Sequence, residues 1–319
     1  MVQGGRVLAQ DTPSYGGQAV LEGVVMRGPR YVSLSVRKPD GDVASMTKKA
    51  LSPSQKGPLM RLAIVRGAFA FWDSLSLGVE MLVRSAEIAS PEEARPGRAA
   101  VDFGVVLGAV IAVGLFIMLP AALTPYIAGA LHLRGRLLLS LTEMLLRLAV
   151  LFSYIELVFR MPEIQRVLEY HGAEHKVIWA WERNQRDLAE KVRLEKWDAP
   201  KVAQFLVEKA GRESRLHPRC GTSFLFIVVL CTWVVFFFVT PPNMLARVGI
   251  RLLLLPVAAG LSYEVLKASA DQGGLFWRAI RAPGMALQAL TTREPDKGEL
   301  EVAADSLVHL VEAERGVFR

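Results

Sequence analysis

VDFGVVLGAVIAVGLFIMLPAALTPYIAGAL, residues Val101–Leu131, carries a single charge, at its second position. At about 1.5 Å of rise per helical residue, roughly 20 residues cross a hydrocarbon core about 30 Å thick. The stretch is long enough even without its C-terminal third, where Pro120 and Pro125 are expected to bend or end the helix. Three more apolar stretches follow: Leu137–Phe159, Ser223–Thr240 and Val248–Ala268. One such stretch could be a buried core helix, but not four. The sequence therefore predicts a mainly α, polytopic membrane protein with about four transmembrane helices. Composition agrees, since 52% hydrophobic residues with 22% charged ones are here clustered rather than spread.

Lysine and arginine set the expected orientation. Thirteen precede position 101, and thirteen more lie between Arg160 and Thr222. The short connections 132–136 and 242–251 carry two each, and the tail from Lys267 carries seven. Both termini and the long central loop are thus expected on the cytoplasmic side of a bacterial inner membrane. This bias accounts for the net charge of +7 through topology and attraction to anionic lipid. A polyanion such as ribosomal RNA is the remaining partner class, and sequence-specific nucleic-acid binding is not expected. The N-terminus, Met1 to Gly17, lacks an apolar h-region, so no cleavable signal peptide is expected. Two cysteines, Cys220 and Cys231, exclude a disulfide framework and suit a reducing compartment.

The polar parts divide around the spans. Residues 1–58 form a small β-containing segment: Tyr31–Arg37 alternates as a strand does, Pro39–Gly41 is a turn, and Val43–Met46 returns. The glycines of Tyr15–Gly23 serve tight turns or a close backbone approach to a ligand, with Glu22 or Arg27 facing it. Residues 59–100 comprise Leu59–Ser85 and a linker over 86–100. Arg66, Asp73 and Glu80 recur every seven residues on one face of that segment, which fits an interfacial amphipathic helix or a fifth intramembrane helix. A transmembrane hairpin over 101–160, a cytoplasmic loop over 161–222, a second hairpin over 223–268 and a tail over 269–319 complete the chain. In the tail, Leu300–Glu314 is expected to be a surface helix packed on the cytoplasmic domain. In the second span Glu143 and Arg147 sit one turn apart, with no role assigned.

The chemistry concentrates in two motifs. In Tyr170-His-Gly-Ala-Glu-His-Lys176, His171 and His175 lie one helical turn apart and can reach one ion. In Leu216-His-Pro-Arg-Cys-Gly-Thr-Ser-Phe224, His217 and Cys220 form a second compact pair. Three histidines and a thiolate suit a divalent metal, zinc above others. His171-Gly-Ala-Glu174-His175 also fits the H-x-x-E-H pattern, in which the glutamate acts on water. Four protein ligands would close the site and make it structural, whereas catalysis needs an open position. His171 follows Arg160 by eleven residues, so a straight helix would lift it roughly 16 Å from the membrane. A shared site needs a bend, and Met161-Pro162 is the place for it.

At these residues the sequence resembles the YqhQ-like family of bacterial membrane proteins. The resemblance rests on Tyr15-Gly-Gly-Gln-Ala-Val-Leu-Glu-Gly23, Tyr170–Val177, Arg215–Phe224 and Leu290-Thr-Thr-Arg-Glu-Pro295, and it covers nearly the whole chain. It implies a domain of unknown function described as predicted metal-dependent enzymes, with no substrate or reaction fixed. His171, His175, His217, Cys220, Glu22 and Glu174 all fall within the resembling blocks. The expected function is metal-assisted hydrolysis of a membrane-associated substrate, with Glu174 or Glu22 as the base. The alternative is a non-enzymatic scaffold with a structural metal and a basic surface that docks a ribosome, a translocon or anionic lipid. An oligomer is compatible with either. A transporter, suggested by Glu156, Glu264 and the 66–80 stripe, is the weakest reading.

Overall fold

The computed structural model describes residues 15–50, 58–91, 97–218, 220–239, 243–271 and 274–316. Residues 1–14, the middle of the expected linker (92–96), Arg219, Thr240 at the end of the expected third span and the last three residues lie outside them. Strands β1 (Gly16–Val20), β2 (Gly23–Arg27), β3 (Tyr31–Arg37) and β4 (Val43–Lys49) form an antiparallel meander in sequence order. Leu34 pairs with Val25 on one side and Met46 on the other. Between β3 and β4, Gly41 takes a φ of 92°, which a side chain would resist.

The helices follow a 3₁₀ turn at Pro58–Arg61. They are α1 (Ala63–Ala89), α2 (Arg98–Val113), α3 (Leu119–Ala130), α4 (Arg136–Val158), α5 (Pro162–Arg183) and α6 (Gln185–Leu194). Then come α7 (Ala199–Ala210), α8 (Ser223–Phe237), α9 (Met244–Asp271), α10 (Leu275–Thr291) and α11 (Lys297–Arg315). A π turn at Gly114–Met118 joins α2 to α3, and the helix runs on through Pro120 and Pro125 to Ala130. The π turn lies beside Pro120, where the missing N–H disrupts the regular hydrogen-bond ladder.

Among the described residues, three helices are long and apolar enough to cross a bilayer: Ala99–Ala130, Arg136–Val158 and Leu245–Ser269. The expected third span, Ser223–Thr240, is a helix of only 15 residues, ending at Phe237. Pro241 and Pro242 follow closely in sequence, and the residue before a proline is driven out of helical geometry. The described residues therefore hold three candidate spans by length, with α8 as a shorter apolar helix.

The two central strands, β2 and β3, are buried on both faces. Val20, Val25, Val32, Leu34 and Val36 pack against Met81 of α1. On the other face, Val24 and Met26 join a core made with α5, α7 and α11. The alternation of β3 thus does not mark a wet side. Ser33 and Ser35 are fully buried, the Ser33 carbonyl accepting from the Ser306 hydroxyl (3.1 Å) and the Ser35 hydroxyl donating to Asp305 (2.7 Å). The helix expected at the surface, α11, is a core element. Val302, Ala303, Ala304, Leu307, Leu310 and Val311 are completely buried, and each such leucine contributes about 1.5–3 kcal/mol. Its start is fixed by a capping box in which Asp296 and Glu299 bond each other's backbone.

The charge stripe of α1 is turned toward protein. Arg66 chelates Glu264 of α9 (2.7 Å to each oxygen), Asp73 pairs with Arg27 of β2 (2.6 Å), and Glu80 pairs with Lys48 of β4 (2.5 Å). The outer face of α1 is apolar, with Phe69, Trp72 and Leu75 exposed. Gly67 lets the α1 backbone approach Gly260 of α9 so closely that an added Cβ would lie 2.6 Å from the Gly260 carbonyl oxygen.

The polar side of α11 offers a pH test. His309 Nδ1 lies 3.4 Å from the Asp305 carboxylate, whose hydrogen bond raises the imidazole from about 6.5 to about 9. A histidine raised on folding stabilises the fold fully below its unfolded pKa and loses that contribution as pH climbs through the folded one. An NMR titration of His309 is expected to show a midpoint near 9. Asp305→Asn should return it toward the ordinary histidine range; an unchanged midpoint in that variant would assign the shift elsewhere.

Candidate metal centre

The bend that the spacing required is present. Helix α4 ends at Val158, Met161 is extended (φ −76°, ψ 127°), and Pro162 occupies the first turn of α5. At that position its missing N–H costs nothing and its φ is preorganised for a helix. Glu163 in the first turn and Arg183 in the last suit the helix dipole.

Helix α5 presents His171 and His175 to the loop that precedes α8. The ligand atoms of His171, His175 and Cys220 lie within 4.8 Å of one another, with His171 Nε2 3.2 Å from Cys220 Sγ. Both imidazoles are held through the other nitrogen: His171 Nδ1–H donates to the Thr291 carbonyl (2.8 Å) and His175 Nδ1–H to the Arg215 carbonyl (2.6 Å). This fixes the tautomer and aims Nε2 inward, the arrangement that metal-ligating histidines use. His175 Nε2 is buried and has no hydrogen-bond partner among the described residues. Burial holds His171 below its ordinary pKa and His175 down at about 3, so both rings are neutral, as ligands must be. Cys220 is pushed up to about 11 by burial and by nearby Glu174, although the Thr222 N–H (3.4 Å) faces its sulfur. Among the described residues, no other group of three or more His, Cys, Asp or Glu side chains converges this way.

Glu174 flanks this group on α5 and is buried, which raises its carboxyl to about 8 against a weaker opposing hydrogen bond from the Gly17 N–H. Gly17 has to be a glycine: an added Cβ would lie 2.8 Å from the Glu174 side chain and 2.7 Å from the Val25 carbonyl. The glycine-rich β1 thus serves a close approach, and what approaches is Glu174.

The other two candidates sit apart from the triad. His217 stacks beyond His175 (ring centroids 5.8 Å) and against Trp179 (4.6 Å), with Nε2 3.6 Å from Glu182. Its backbone is held on both sides by Gln288, which accepts from the N–H (2.9 Å) and donates to the carbonyl (3.0 Å). Glu22 sits in the β1–β2 turn with φ 49° and faces Arg166 and Tyr170 instead. Arg166 donates to both its oxygens (3.1 and 2.7 Å) and reaches Glu299 of α11 (2.9 Å). The Arg166 hydrogen bonds hold Glu22 below its usual range despite partial burial. It is an ionised anchor between sheet and helix.

Several supporting groups gave no sequence signal of their role. The segment Thr291–Pro295 is a strap across α5: the Arg293 N–H donates to the Leu168 carbonyl (2.9 Å) and the Arg293 guanidinium to Gln165 (2.8 Å). Lys176 pairs with Glu294, and the Arg215 guanidinium donates to the Thr292 carbonyl. A Cβ on Gly172 would overlap the Arg293 carbonyl oxygen and lie 3.3 Å from Pro295 Cδ. The strap's sequence stands out only as a block of resemblance, and Gln288 not at all.

Comparison with known proteins accords with that resemblance. The family described as "Protein of unknown function (DUF1385)" matches residues 62–201 and 200–313. The chain is 30% identical over 321 aligned positions to "Uncharacterized protein YqhQ" of Bacillus subtilis (strain 168), covering 95% of this chain and 93% of that one. No solved structure matches. The chain belongs to the DUF1385 family.

Proposed function

We propose that this DUF1385 member is a membrane-embedded, metal-dependent hydrolase. His171, His175 and Cys220 would hold a divalent ion of the zinc class, and Glu174 would carry the proton. The observation that supports this most is the number of converging ligands. Three protein donors come together while His217 faces Trp179 and Glu182, and three-ligand zinc sites are the ones that keep a position for water or substrate. Zinc about 2.0–2.3 Å from each ligand keeps ligand atoms roughly 3.3–3.8 Å apart, so these donors, all within 4.8 Å of one another, would need only small adjustments to close on it. Such an ion supplies Lewis acidity and water activation. The chain supplies the rest: neutral imidazoles in fixed tautomers, a sulfur faced by an N–H, and a buried carboxyl near neutrality that can take up and return a proton.

A membrane-associated substrate is favoured by the cavities next to the group. One, of about 590 Å³, is walled mainly by apolar residues of α1, α8 and α9 and reaches Gly221, the neighbour of Cys220. A second, of about 440 Å³, shares Gln18, Ala70, Ser74 and Tyr263 with it and reaches Gly17, against which Glu174 packs. An amphiphile whose apolar part lies beside the exposed face of α1 would bring its polar end to the triad. In this reading α2–α3, α4 and α9 cross the inner membrane, and α8, about 22 Å long, makes a fourth, thinner crossing. The triad and both termini lie on the cytoplasmic side, as the lysine and arginine bias favours.

Glu174→Gln tests the assignment. Full-length wild type and variant, purified in detergent, should carry equal zinc, and only the wild type should convert a component of a total membrane extract followed by mass spectrometry. A product formed equally by both proteins removes Glu174 from the chemistry. Metal below about 0.2 equivalents in gently purified wild type removes the centre itself. Full metal with no wild-type-dependent product favours the scaffold, in which the metal only staples the loop to α5.

A further inference from the structure

A second polar site lies at the other end of the helical bundle. Cys220 precedes the N-terminus of α8; about 22 Å away, at its C-terminus, a cavity of about 470 Å³ opens between α3, α4, α8 and α9. Its polar lining is unbalanced. Arg136, Arg147, Arg247 and Arg251 all border it, and Glu143 is the one acid among the described lining residues.

Glu143 is fully engaged. Arg251 straddles its two oxygens (2.6 Å each), and Arg147 donates to the first of them (2.6 Å). The side chains of Arg147, Arg251 and Glu143 are only 7%, 9% and 12% exposed. One carboxylate thus faces two buried guanidinium groups, which leaves a net positive charge in a low-dielectric setting. Burying an uncompensated charge is costly, and the usual remedy is a counter-ion. Two donors stand ready for one: Arg147 Nε and the Trp233 indole N–H are buried without a hydrogen-bond partner among the described residues. Both guanidinium groups also lie over the Phe236 ring (5.1 and 5.3 Å to its centroid), which helps to orient them.

We propose that this cavity is a binding site for a phosphate-type oxyanion. Arg147 and Arg251 form its floor with Glu143 between them, the Trp233 N–H lines the wall, and Arg136 and Arg247 add positive charge around it. Planar, permanently charged guanidinium groups match a tetrahedral oxyanion through paired donors. The volume falls within the usual range of ligand cavities, and the mostly apolar lining suits an anion on an apolar stem as well as a free one. The charge imbalance also gives Glu143 a definite sign: it competes with the ligand.

Thermal unfolding of the full-length protein tests this with two probes, inorganic phosphate in lipid-free micelles and phosphatidylglycerol against phosphatidylcholine in nanodiscs. A saturable stabilisation by phosphate assigns the site to soluble oxyanions. Stabilisation by phosphatidylglycerol alone assigns it to a lipid headgroup. Arg251→Gln should weaken the apparent affinity roughly tenfold or more. Arg247→Gln, which leaves the Glu143 pairs intact, should weaken it less and covers the case in which the first variant does not fold. Glu143→Gln should tighten binding, because it removes the competing carboxylate. The proposal fails if neither probe stabilises the wild type, if both arginine variants respond as the wild type does, or if Glu143→Gln abolishes binding.

Discussion

If the proposed centre holds a metal, changing His175 to alanine is expected to strip it, whereas changing His217 to alanine should leave it in place. Both side chains are buried, and both replacements open a cavity, so loss of packing affects them alike. Their Nε2 atoms differ in direction. That of His175 points at His171 and Cys220, while that of His217 lies 3.6 Å from Glu182. Removing a direct ligand should cost more than the roughly 10–100-fold that loss of an outer hydrogen-bond partner costs. Zinc per protein after size exclusion, followed by competition with a chromogenic chelator, reads both effects. Equal loss in the two variants would mean that His217 is a fourth ligand and that the site is closed, which removes the hydrolase reading and leaves a structural ion.

Gly172→Ala should be the most damaging one-methyl change among the described residues outside the candidate spans. The new Cβ would overlap the Arg293 carbonyl oxygen, a backbone atom that no rotamer change can move. Relief requires the strap to lift from α5, against the Arg293–Leu168 backbone bond and the Lys176–Glu294 pair. Overpacking of this kind costs about 1–3 kcal/mol, and a backbone clash belongs at the upper end. Because Thr291 belongs to the strap, the same shift should pull its carbonyl from His171 Nδ1 and lower metal affinity by about 10–100-fold. A lower unfolding temperature with unchanged metal affinity would separate the strap from the centre. Gly221→Ala is the control, since nothing lies within 4 Å of its added Cβ.

The sequence was legible where a signal is local. Long apolar runs, the last two strands of the meander, the one-turn spacing of His171 and His175 and the break at Pro162 all follow from periodicity or backbone sterics. It was less legible wherever the partner is distant in the chain. The stripe of Arg66, Asp73 and Glu80 fits a face toward water or a polar interior equally well, because period alone does not say that Glu264, Arg27 and Lys48 lie opposite. The alternating serines of β3 look half-exposed until Asp305 and Ser306 cover them. The apolar run of α8 looked a full span long because a hydropathy window does not register where a helix ends. Within the site, donor types were visible and the count of converging ligands was not. His217 lies three residues from Cys220, and only the orientation imposed by Gln288 and Trp179 separates their destinations.

The two-sided cover of the sheet has a consequence for the order in which the protein can be made. Its strands leave the ribosome before the helices that cover them, yet one of their faces is closed by α11, which follows every other described helix. Glu314 bonds the backbone of Arg30 across 284 positions of sequence. The strap over α5 is likewise translated more than a hundred residues after His175. The apolar side of the sheet therefore waits, uncovered, while every candidate span is being translated, and such long-range closures are slow to form. Nascent chains stalled before Lys297 should hold the sheet open to proteases and chaperones. On the proposed reading, metal would then be taken up only once the strap and α11 have been released from the ribosome.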